Sequence, residues 1–170
     1  MFYPKMKLHK EEIAYLSGFL DGDGSLMTQI VRDNSYQRGF YIRVSINFYQ
    51  KTKRHWFILH LKYLLKDGFV IKRKDGMSVY TIVGIEPVRK ILILFKPHLR
   101  IKKSLARLVL RIIEKRETVT TDAEFIKVCE LVDRTAELTD SKKRIITSQT
   151  VRDFLISRAQ TKVKLKSDLV

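Results

Sequence analysis

The sequence predicts an α+β fold with one antiparallel sheet, and three observations lead to this prediction. Apolar and polar residues alternate from Phe40 to Phe48, which is typical of a strand with one buried face. The run Leu26 to Arg32 precedes that strand across a polar loop, so the two form a predicted hairpin. On either side of this hairpin, apolar residues recur at the spacing of amphipathic helices.

The first two helices flank this hairpin. Glu11 to Asp21 is predicted as a helix because Ile13, Leu16 and Leu20 share one face. A second helix is predicted over about 53–65, and one of its faces carries Trp56, Leu59 and Tyr63.

A second hairpin is expected from Phe69 to Arg73 and from Ser78 to Val83, around the turn Asp75-Gly76. Later helices are indicated by Pro87 in a first turn, by an apolar stripe from Leu105 to Ile113, by the capping box Thr121 with Glu124, and by a last segment from Ser148. The order is α-β-β-α-β-β-α followed by further helices. We find no internal repeat or linker, so we expect one domain over 1–160 and a basic, flexible tail over 161–170.

Charge favours nucleic acid as a partner. Lys and Arg number 34 against 18 Asp and Glu, a net charge of +16. Such an excess suits a polyanion, because each phosphate neutralised releases condensed counterions. Ribosomal proteins share this balance, so charge alone indicates a class of partner and no activity.

Several other classes are excluded or disfavoured. Cys129 is the single cysteine, so an internal disulfide and a cysteine zinc cluster are both excluded, and a buried inert thiol is expected. Residues 1–10 lack an apolar segment, so we expect no secretory signal. The longest apolar run, Ile91 to Phe95, is too short for a membrane span. The four histidines show no metal-ligand spacing.

The segment Tyr15 to Gly24 carries the sharpest functional signal. Gly18 and Gly22 are four residues apart, so they share one helical face and leave bare backbone there for a second helix. Asp21 and Asp23 follow where the helix ends, and a carboxylate at that point is a natural Mg²⁺ ligand. Asp-Gly-Asp-Gly is also common in plain turns. An EF-hand loop is excluded because its sixth position would be Leu26 and its twelfth Arg32.

The segment resembles the LAGLIDADG motif of homing endonucleases, and the order of elements resembles that family over nearly the whole chain. It is most similar to the single-motif enzymes encoded in group I introns of chloroplasts and mitochondria. The resemblance implies an αββαββα fold with a saddle-shaped antiparallel DNA-binding sheet and C-terminal helices. It also implies a homodimer with the motif helix at its interface, and an organellar location with chloroplast favoured over mitochondrion. The interface residues it implies are Leu16, Gly18, Phe19 and Gly22.

The resemblance assigns catalytic roles residue by residue. Asp23 matches the metal-binding aspartate, and Gly22 the residue whose carbonyl also contacts Mg²⁺ or Mn²⁺. Gln50 matches the polar residue that orients water, and Arg54 and Lys102 match basic residues near the scissile phosphates. Asp21 is interpreted as a support of the helix end. Taken alone, Arg54 or Lys102 is a typical solvated surface charge.

DNA reading is expected from the outward sheet face. In the first hairpin, outward side chains alternate on both strands, and a β-ribbon fits the major groove, although a solvent-washed face is also common for antiparallel sheets. The second hairpin adds two polar and two apolar positions, and the loop after the fifth helix is expected to touch phosphates through residues that include Arg144. Together with the resemblance, these features predict the following DNA contacts: Met27, Gln29, Val31, Asp33, Ser35, Tyr36, Tyr41, Arg43, Ser45, Asn47, Ile71, Arg73, Val79, Thr81, Ser141, Lys142 and Lys143.

The function implied is a site-specific endonuclease that cuts both strands of a pseudo-palindromic DNA site of about two helical turns, roughly 20 base pairs. Two alternatives stay open. One is an RNA maturase that assists splicing of a group I intron and so has intron RNA as a partner. The other is a non-catalytic DNA-binding protein on the same scaffold, which the presence of Asp23 beside Gln50 and Lys102 disfavours.

Overall fold

The structure is a computed structural model, and it describes residues 8–140 and 144–167, with side chains as far as 161. The elements in chain order are α1 (Lys10–Asp23), β1 (Gly24–Arg32), β2 (Phe40–Lys51), a 3₁₀ turn (Thr52–Arg54), α2 (His55–Leu65), β3 (Phe69–Lys72), β4 (Met77–Val83), α3 (Ile85–Phe95), α4 (Lys103–Glu117), α5 (Asp122–Arg134), a second 3₁₀ turn (Thr135–Leu138) and α6 (Ser148–Ser167). The α+β class and the αββαββα order predicted from the sequence are confirmed.

The four strands form one sheet in the order β1-β2-β4-β3. β4 pairs antiparallel with both β2 and β3, with Phe48 opposite Tyr80 and Ile71 opposite Val79. Alternation along the strands gives the sheet two distinct faces. Phe48 and Tyr80 are fully buried on the covered face, where their rings stack at 6.0 Å.

The described residues group into two compact units. One unit holds residues up to 27 together with 44–110, and the other holds 28–43 together with residues from 111 onward. The expected single domain over 1–160 therefore stays a prediction. Helix α6 continues to Ser167, beyond the predicted end of the domain at 160.

The first unit builds its core between helices and the covered sheet face. Helix α2 packs on β3 and β4, α3 packs on β4, and α1 packs on α3. The buried side chains here are mostly aliphatic, which is what the helical and strand periods predict, and include Leu20, Ile46, Ile58, Leu61, Ile82, Ile91, Leu92 and Phe95. This unit carries the motif helix.

The second unit is built around α5 and α6, which pack together. Its core includes Phe125, Val128 and Val132 on one face of α5. The predicted capping box is confirmed, because Glu124 N–H donates to Thr121 Oγ1 at 3.2 Å and Thr121 N–H donates to Glu124 Oε2 at 3.0 Å.

The single cysteine lies inside the second unit. Cys129 is buried, as expected, and burial, with a smaller contribution from nearby Asp133, raises the pKa of its thiol to about 12. A thiol held in its protonated form is a poor nucleophile, so a catalytic role for Cys129 is disfavoured. Among the residues described, no helix is both long and apolar enough to cross a bilayer.

Candidate active site and nucleic-acid interface

Helix α1 presents a bare stripe to solvent. Gly18 and Gly22 are both exposed, and a methyl group built on either would meet no atom within 4 Å. A glycine inside a helix costs about 1 kcal/mol relative to alanine. Because the protomer leaves the space over both glycines empty, its own packing does not recover that cost.

The predicted interface set needs one correction. Leu16 is only 1% exposed and lies in the core of the protomer, so it does not share the exposed stripe. It precedes Gly18 by two residues, which places it about 200° away around the helix. Phe19 is half-buried, and its ring stacks on Phe48 at 5.8 Å and meets Phe57 edge-on at 5.2 Å.

The two motif aspartates have different surroundings. Asp21 is 9% exposed, and its carboxylate accepts hydrogen bonds from the backbone N–H groups of Arg100, Ile101 and Lys102 at 2.6, 3.2 and 2.9 Å. The amine of Lys102 in turn donates to the backbone carbonyl of Asp21 at 2.5 Å. Asp21 therefore has the supporting role expected from the sequence, and it attaches Lys102 to the end of α1.

Asp23 is the last residue of α1 and is exposed. Within the described part of the chain, no group donates a hydrogen bond to its carboxylate. The carbonyl of Gly22 lies in the last turn of the helix, where carbonyls lack partners four residues ahead. A free carboxylate beside an unpaired carbonyl is an oxygen donor set that suits Mg²⁺ or Mn²⁺.

One protomer brings few protein ligands to such an ion. Across residues 8–140 and 144–167, no group of three His, Cys, Asp or Glu side chains could hold a metal. A site built on Asp23 would therefore need further oxygens from outside this protomer's side chains, from a second copy, DNA phosphates or water.

Gln50 and Arg54 are brought together at the end of β2. Arg54 Nη1 donates to Gln50 Oε1 at 3.0 Å, and the same oxygen accepts from the backbone N–H of Lys51 at 3.1 Å. The side-chain oxygen is thus occupied, and the amide NH₂ group of Gln50 remains as the donor. The contacts join Gln50 to Arg54 and Lys102 to α1, but no hydrogen bond joins Asp23 to either pair in the part of the chain described.

On the outward sheet face of the first unit, several side chains are hydrogen-bonded to one another, although the sequence predicted them to be open to DNA. Asn47 is only 8% exposed, and its amide donates to Ser25 Oγ at 3.2 Å and to Met27 Sδ at 3.6 Å. Its carbonyl oxygen accepts from Thr81 Oγ1 at 2.8 Å, and Ser25 also lies 3.2 Å from the hydroxyl of Tyr49. Asn47 in β2 therefore links β1 and β4 through side-chain hydrogen bonds.

Three residues of this face were missed from the sequence, namely Ser25, Tyr49 and Phe69. Each one continues the two-residue alternation of a predicted row, Ser25 before Met27 and Tyr49 after Asn47, so the signal was present. Two predicted DNA contacts need correction, because Ser45 and Val79 are buried within the protomer and offer almost no surface to a base. Of the other three positions predicted in the second hairpin, Ile71 and Arg73 are exposed and Thr81 is half-buried.

Arg73 is engaged by a neighbour. Its guanidinium pairs with the carboxylate of Asp75 at 2.7 Å, and both side chains are about half exposed. An exposed pair of this kind contributes little to stability, so Arg73 can exchange Asp75 for another partner at small cost.

In the second unit, some of the predicted DNA-contact residues are exposed, and others are hydrogen-bonded to one another. Gln29 and Arg43 are exposed, and Val31 is half-buried. Asp33 Oδ1 accepts from both the N–H and the hydroxyl of Ser35, at 2.9 and 2.7 Å, and these bonds lower the pKa of the Asp33 carboxyl.

Tyr36, in the loop after Asp33, packs against Tyr41 of β2. The rings of Tyr36 and Tyr41 stack with centroids 4.8 Å apart. Ser141, Lys142 and Lys143 lie outside the described residues.

Arg144 requires a further correction. It was expected to contact phosphate, yet its guanidinium donates to the carbonyl of Thr28 and to the hydroxyl of Thr135, each at 2.6 Å. Thr28 and Thr135 are themselves buried. Arg144 therefore acts inside the second unit, where it donates to oxygens of two buried residues, and buried polar groups are normally hydrogen-bonded.

Comparisons with known proteins agree with this picture. Residues 16–113 match the family model described as LAGLIDADG endonuclease. The chain is 38% identical to DNA endonuclease I-CreI of Chlamydomonas reinhardtii over 92% of this chain and 96% of that protein. It is 37% identical to DNA endonuclease I-CvuI of Chlorella vulgaris over 85% of this chain and 89% of that protein.

Solved structures give the same fold. The homing endonuclease I-CvuI, in complex with the I-CreI target in the presence of 2 mM Mg and with its DNA not cleaved, matches with a TM-score of 0.82 and 35% identity, covering 87% of this chain and 94% of that one. The same enzyme with its own target and 2 mM Ca matches with a TM-score of 0.81 at 35% identity, covering 86% and 94%.

Proposed function

The chain belongs to the LAGLIDADG endonuclease family, and from this premise we propose that it is a homing endonuclease that cuts both strands of a long DNA site. The observation that carries the proposal is Asp23, an unpaired exposed carboxylate at the end of a helix whose glycine stripe is open. The relatives I-CreI and I-CvuI are named DNA endonucleases, which supports the same activity here.

The working unit in this proposal is a homodimer joined through α1. Two copies that meet over Gly18 and Gly22 fill the empty space there, and close helix contact offsets the cost of the glycines. The contact also brings two Asp23 carboxylates together at the dimer axis, one for each DNA strand. A single protomer supplies only one, so it would not make a double-strand break.

The chain's own residues have distinct tasks in cleavage. Asp23 and the Gly22 carbonyl would hold a divalent ion, Mg²⁺ or Mn²⁺, which supplies charge stabilisation at the attacking and leaving oxygens. The Gln50 amide orients the attacking water by donating to it. Arg54 and Lys102 stabilise the negative charge that develops on the phosphate. Asp21 keeps Lys102 in place.

The substrate in this proposal is duplex DNA of about two helical turns, contacted by the outward sheet faces of two copies. Gln29, Arg43 and Arg73 offer polar groups to base edges, and Met27 and Ile71 offer apolar contact to thymine methyl groups. The net charge of +16 supplies the sequence-independent part of binding.

The host compartment is part of the same proposal. The resemblance to single-motif group I intron enzymes favours an organellar intron as the source, with chloroplast favoured over mitochondrion, and the relatives come from Chlorella vulgaris and Chlamydomonas reinhardtii. Hybridisation of the coding sequence to purified chloroplast and mitochondrial DNA tests this assignment directly, and a signal confined to nuclear DNA would contradict it.

One experiment tests activity and substrate together. The protein is incubated with a library of randomised duplex DNA and increasing Mg²⁺, and cut molecules are sequenced. We expect one pseudo-palindromic site to be enriched. Asp23→Asn should still bind that site but not cut it, whereas the matched exposed control Asp153→Asn should cut normally. Cleavage by Asp23→Asn at the normal rate would refute the assignment.

A mixed dimer tests whether each Asp23 carboxylate is responsible for cutting one DNA strand. A wild-type protomer and an Asp23→Asn protomer with different tags are co-purified and given a supercoiled plasmid that carries the site. We expect nicked circles, because one carboxylate serves one strand. Linear product at the wild-type rate would contradict the one-carboxylate, one-strand proposal.

A further inference from the structure

The loop between β1 and β2, residues 33–39, is closed by its own backbone hydrogen bonds. Asp33 N–H donates to the carbonyl of Gly39 at 2.9 Å, and Gly39 N–H donates to the carbonyl of Tyr36 at 2.8 Å. The loop carries three of the predicted DNA contacts, which are Asp33, Ser35 and Tyr36. Its conformation therefore decides where these three side chains would meet DNA.

Helix α6 contacts this loop through a charged side chain. Arg158 is half-buried, and its Nη1 donates to the backbone carbonyl of Gln37 at 2.5 Å. The side chain of Gln37 is not used and stays exposed. Gln37 directly follows Tyr36, so Arg158 fixes the main chain beside a predicted DNA contact.

An aromatic side chain of α6 contacts both ends of the same loop. Phe154 lies one helical turn before Arg158, and a methyl group built on Gly39 would lie 3.0 Å from its Cε1 atom. Gly39 has a φ of +73°, which favours glycine, so its bare backbone lies directly against the ring. Phe154 also meets the Phe40 ring edge-on at 5.2 Å, and the guanidinium of Arg32 lies 5.0 Å from the centre of the Phe154 ring.

A third attachment of the loop is made at the start of α5. Arg38 Nε donates to Asp122 Oδ1, and Arg38 Nη2 donates to the backbone carbonyl of Thr120, both at 2.8 Å. The guanidinium of Arg38 also lies 5.7 Å from the centre of the Phe125 ring. The loop is therefore attached to two helices of the second unit in the protein without DNA.

We propose that Arg158 and Phe154 are positioning residues for DNA recognition, which hold the loop 33–39 in the conformation that reads base pairs. This role rests on the proposed function, because it needs a duplex DNA substrate. A loop that is already fixed does not have to be ordered when DNA binds, and fixing the backbone of one residue changes an equilibrium constant about five- to thirtyfold. A freed loop would also adapt to other base pairs, so discrimination would fall together with affinity.

The alternative role for Arg158 is a direct contact with a DNA phosphate. Removing such a contact would weaken binding to all sequences alike and lower the slope of log affinity against log salt concentration by about 1. A positioning residue should instead change discrimination at a subset of base pairs and leave that slope unchanged. The bond from Arg158 to the carbonyl of Gln37 favours positioning, because it engages the guanidinium inside the protein.

The first test is made without DNA, by hydrogen exchange and mass spectrometry on peptides that cover residues 33–39. We expect Arg158→Ala to speed exchange of the loop amides about five- to thirtyfold, and Arg158→Lys, which can still donate to a carbonyl, to restore most of the protection. The matched control is Arg152→Ala, which removes an arginine of the same helix that pairs with Glu130 at 2.7 Å. Equal exchange in the wild type and Arg158→Ala would overturn the proposal, as would an equal effect of Arg152→Ala.

The second test measures discrimination on DNA. The site that the wild type selects from the randomised library is made as labelled duplexes that carry every single base-pair change, and anisotropy gives the affinity of each in the Asp23→Asn background. We expect Arg158→Ala and Phe154→Leu to reduce the preference for the correct base pair about five- to thirtyfold at one run of positions in each half-site. These should be the positions at which Ser35→Ala and Tyr36→Ala also lose discrimination. Arg158→Lys should recover it, and Arg152→Ala should keep it.

The outcomes separate this role from the proposed function. A wild type that selects no site would refute the proposed function and the positioning role with it. A wild type that selects a site, together with an unchanged discrimination profile in Arg158→Ala, would refute the positioning role alone. Uniform weakening at all positions with a smaller salt slope would assign Arg158 to a phosphate contact and would also overturn the proposal.

Discussion

Replacing Asp21 and Asp23 one at a time with asparagine should show which of them the fold needs and which of them cleavage needs. Asp21→Asn replaces a carboxylate that accepts three backbone N–H groups with an amide that has one acceptor oxygen and an NH₂ group facing those donors. Hydrogen bonds to a charged group contribute about 1.5–3 kcal/mol each, and one of the oxygens is retained. We therefore expect the free energy of unfolding to fall by about 2–4 kcal/mol, which is a fall in Tm of about 4–16 °C for a chain of this size.

Asp23→Asn should behave in the opposite way. Its carboxylate has no donor in the described part of the chain, and it is a negative charge at the C-terminal end of a helix, where the dipole opposes it. Removing that charge should raise the free energy of unfolding by about 0.3–1 kcal/mol. We expect this variant to be slightly more stable than the wild type and unable to cut DNA.

Circular dichroism on heating measures both stabilities, and a plasmid assay measures cutting. An Asp21→Asn protein with an unchanged Tm would refute the account of its three hydrogen bonds. If the Asp23→Asn protein lost several degrees of Tm, the view of Asp23 as an unpaired carboxylate that folding does not need would be refuted.

Three further outcomes are expected. Gly18→Phe should yield a folded monomer by sedimentation, whereas replacement of the exposed α5 residue in Lys127→Ala should leave the protein dimeric; an active Gly18→Phe dimer would refute the α1 interface. The N–H groups of Thr120 and Thr121 lower the pKa of Glu124 to about 2 from 4.5, so its stabilising effect is present above pH about 4.5 and is lost as pH falls toward 2. Glu124→Gln should flatten the dependence of Tm on pH in that window, and an unchanged profile would contradict this. Arg144→Met should lower stability by about 2–4 kcal/mol, because two buried oxygens lose a charged donor, and urea unfolding that matches the wild type would show that those bonds contribute nothing.

Local periodicity was enough to predict the elements. The two-residue alternation of β2 and the capping box of α5 each depend on neighbouring residues, and both are confirmed. Periodicity could not say which face of α2 is buried, because Ile58 and Trp56 both belong to apolar rows at helical spacing. The choice is made by the sheet beneath the helix, which is tertiary information.

The partners of polar residues could not be predicted either. Asn47 was expected to be open to DNA, but its bonds to Ser25 and Thr81 depend on strand register and sheet order. Arg144 lies 116 residues from Thr28, whose carbonyl it reaches. By contrast, the supporting role of Asp21 was correctly predicted from its place in the motif. Its three donors were not, because they come from a segment almost eighty residues away.

The hydrogen bonds between Asp21 and residues 100–102 place little constraint on which side chains stand at positions 100 and 101. Asp21 holds main-chain amides, which every amino acid except proline provides, and the side chains of Arg100 and Ile101 are exposed. Residues 100 and 101 can therefore mutate, except to proline, without releasing the lysine that follows them. Randomising both positions, proline excepted, should leave most variants with Lys102 still attached to the end of α1.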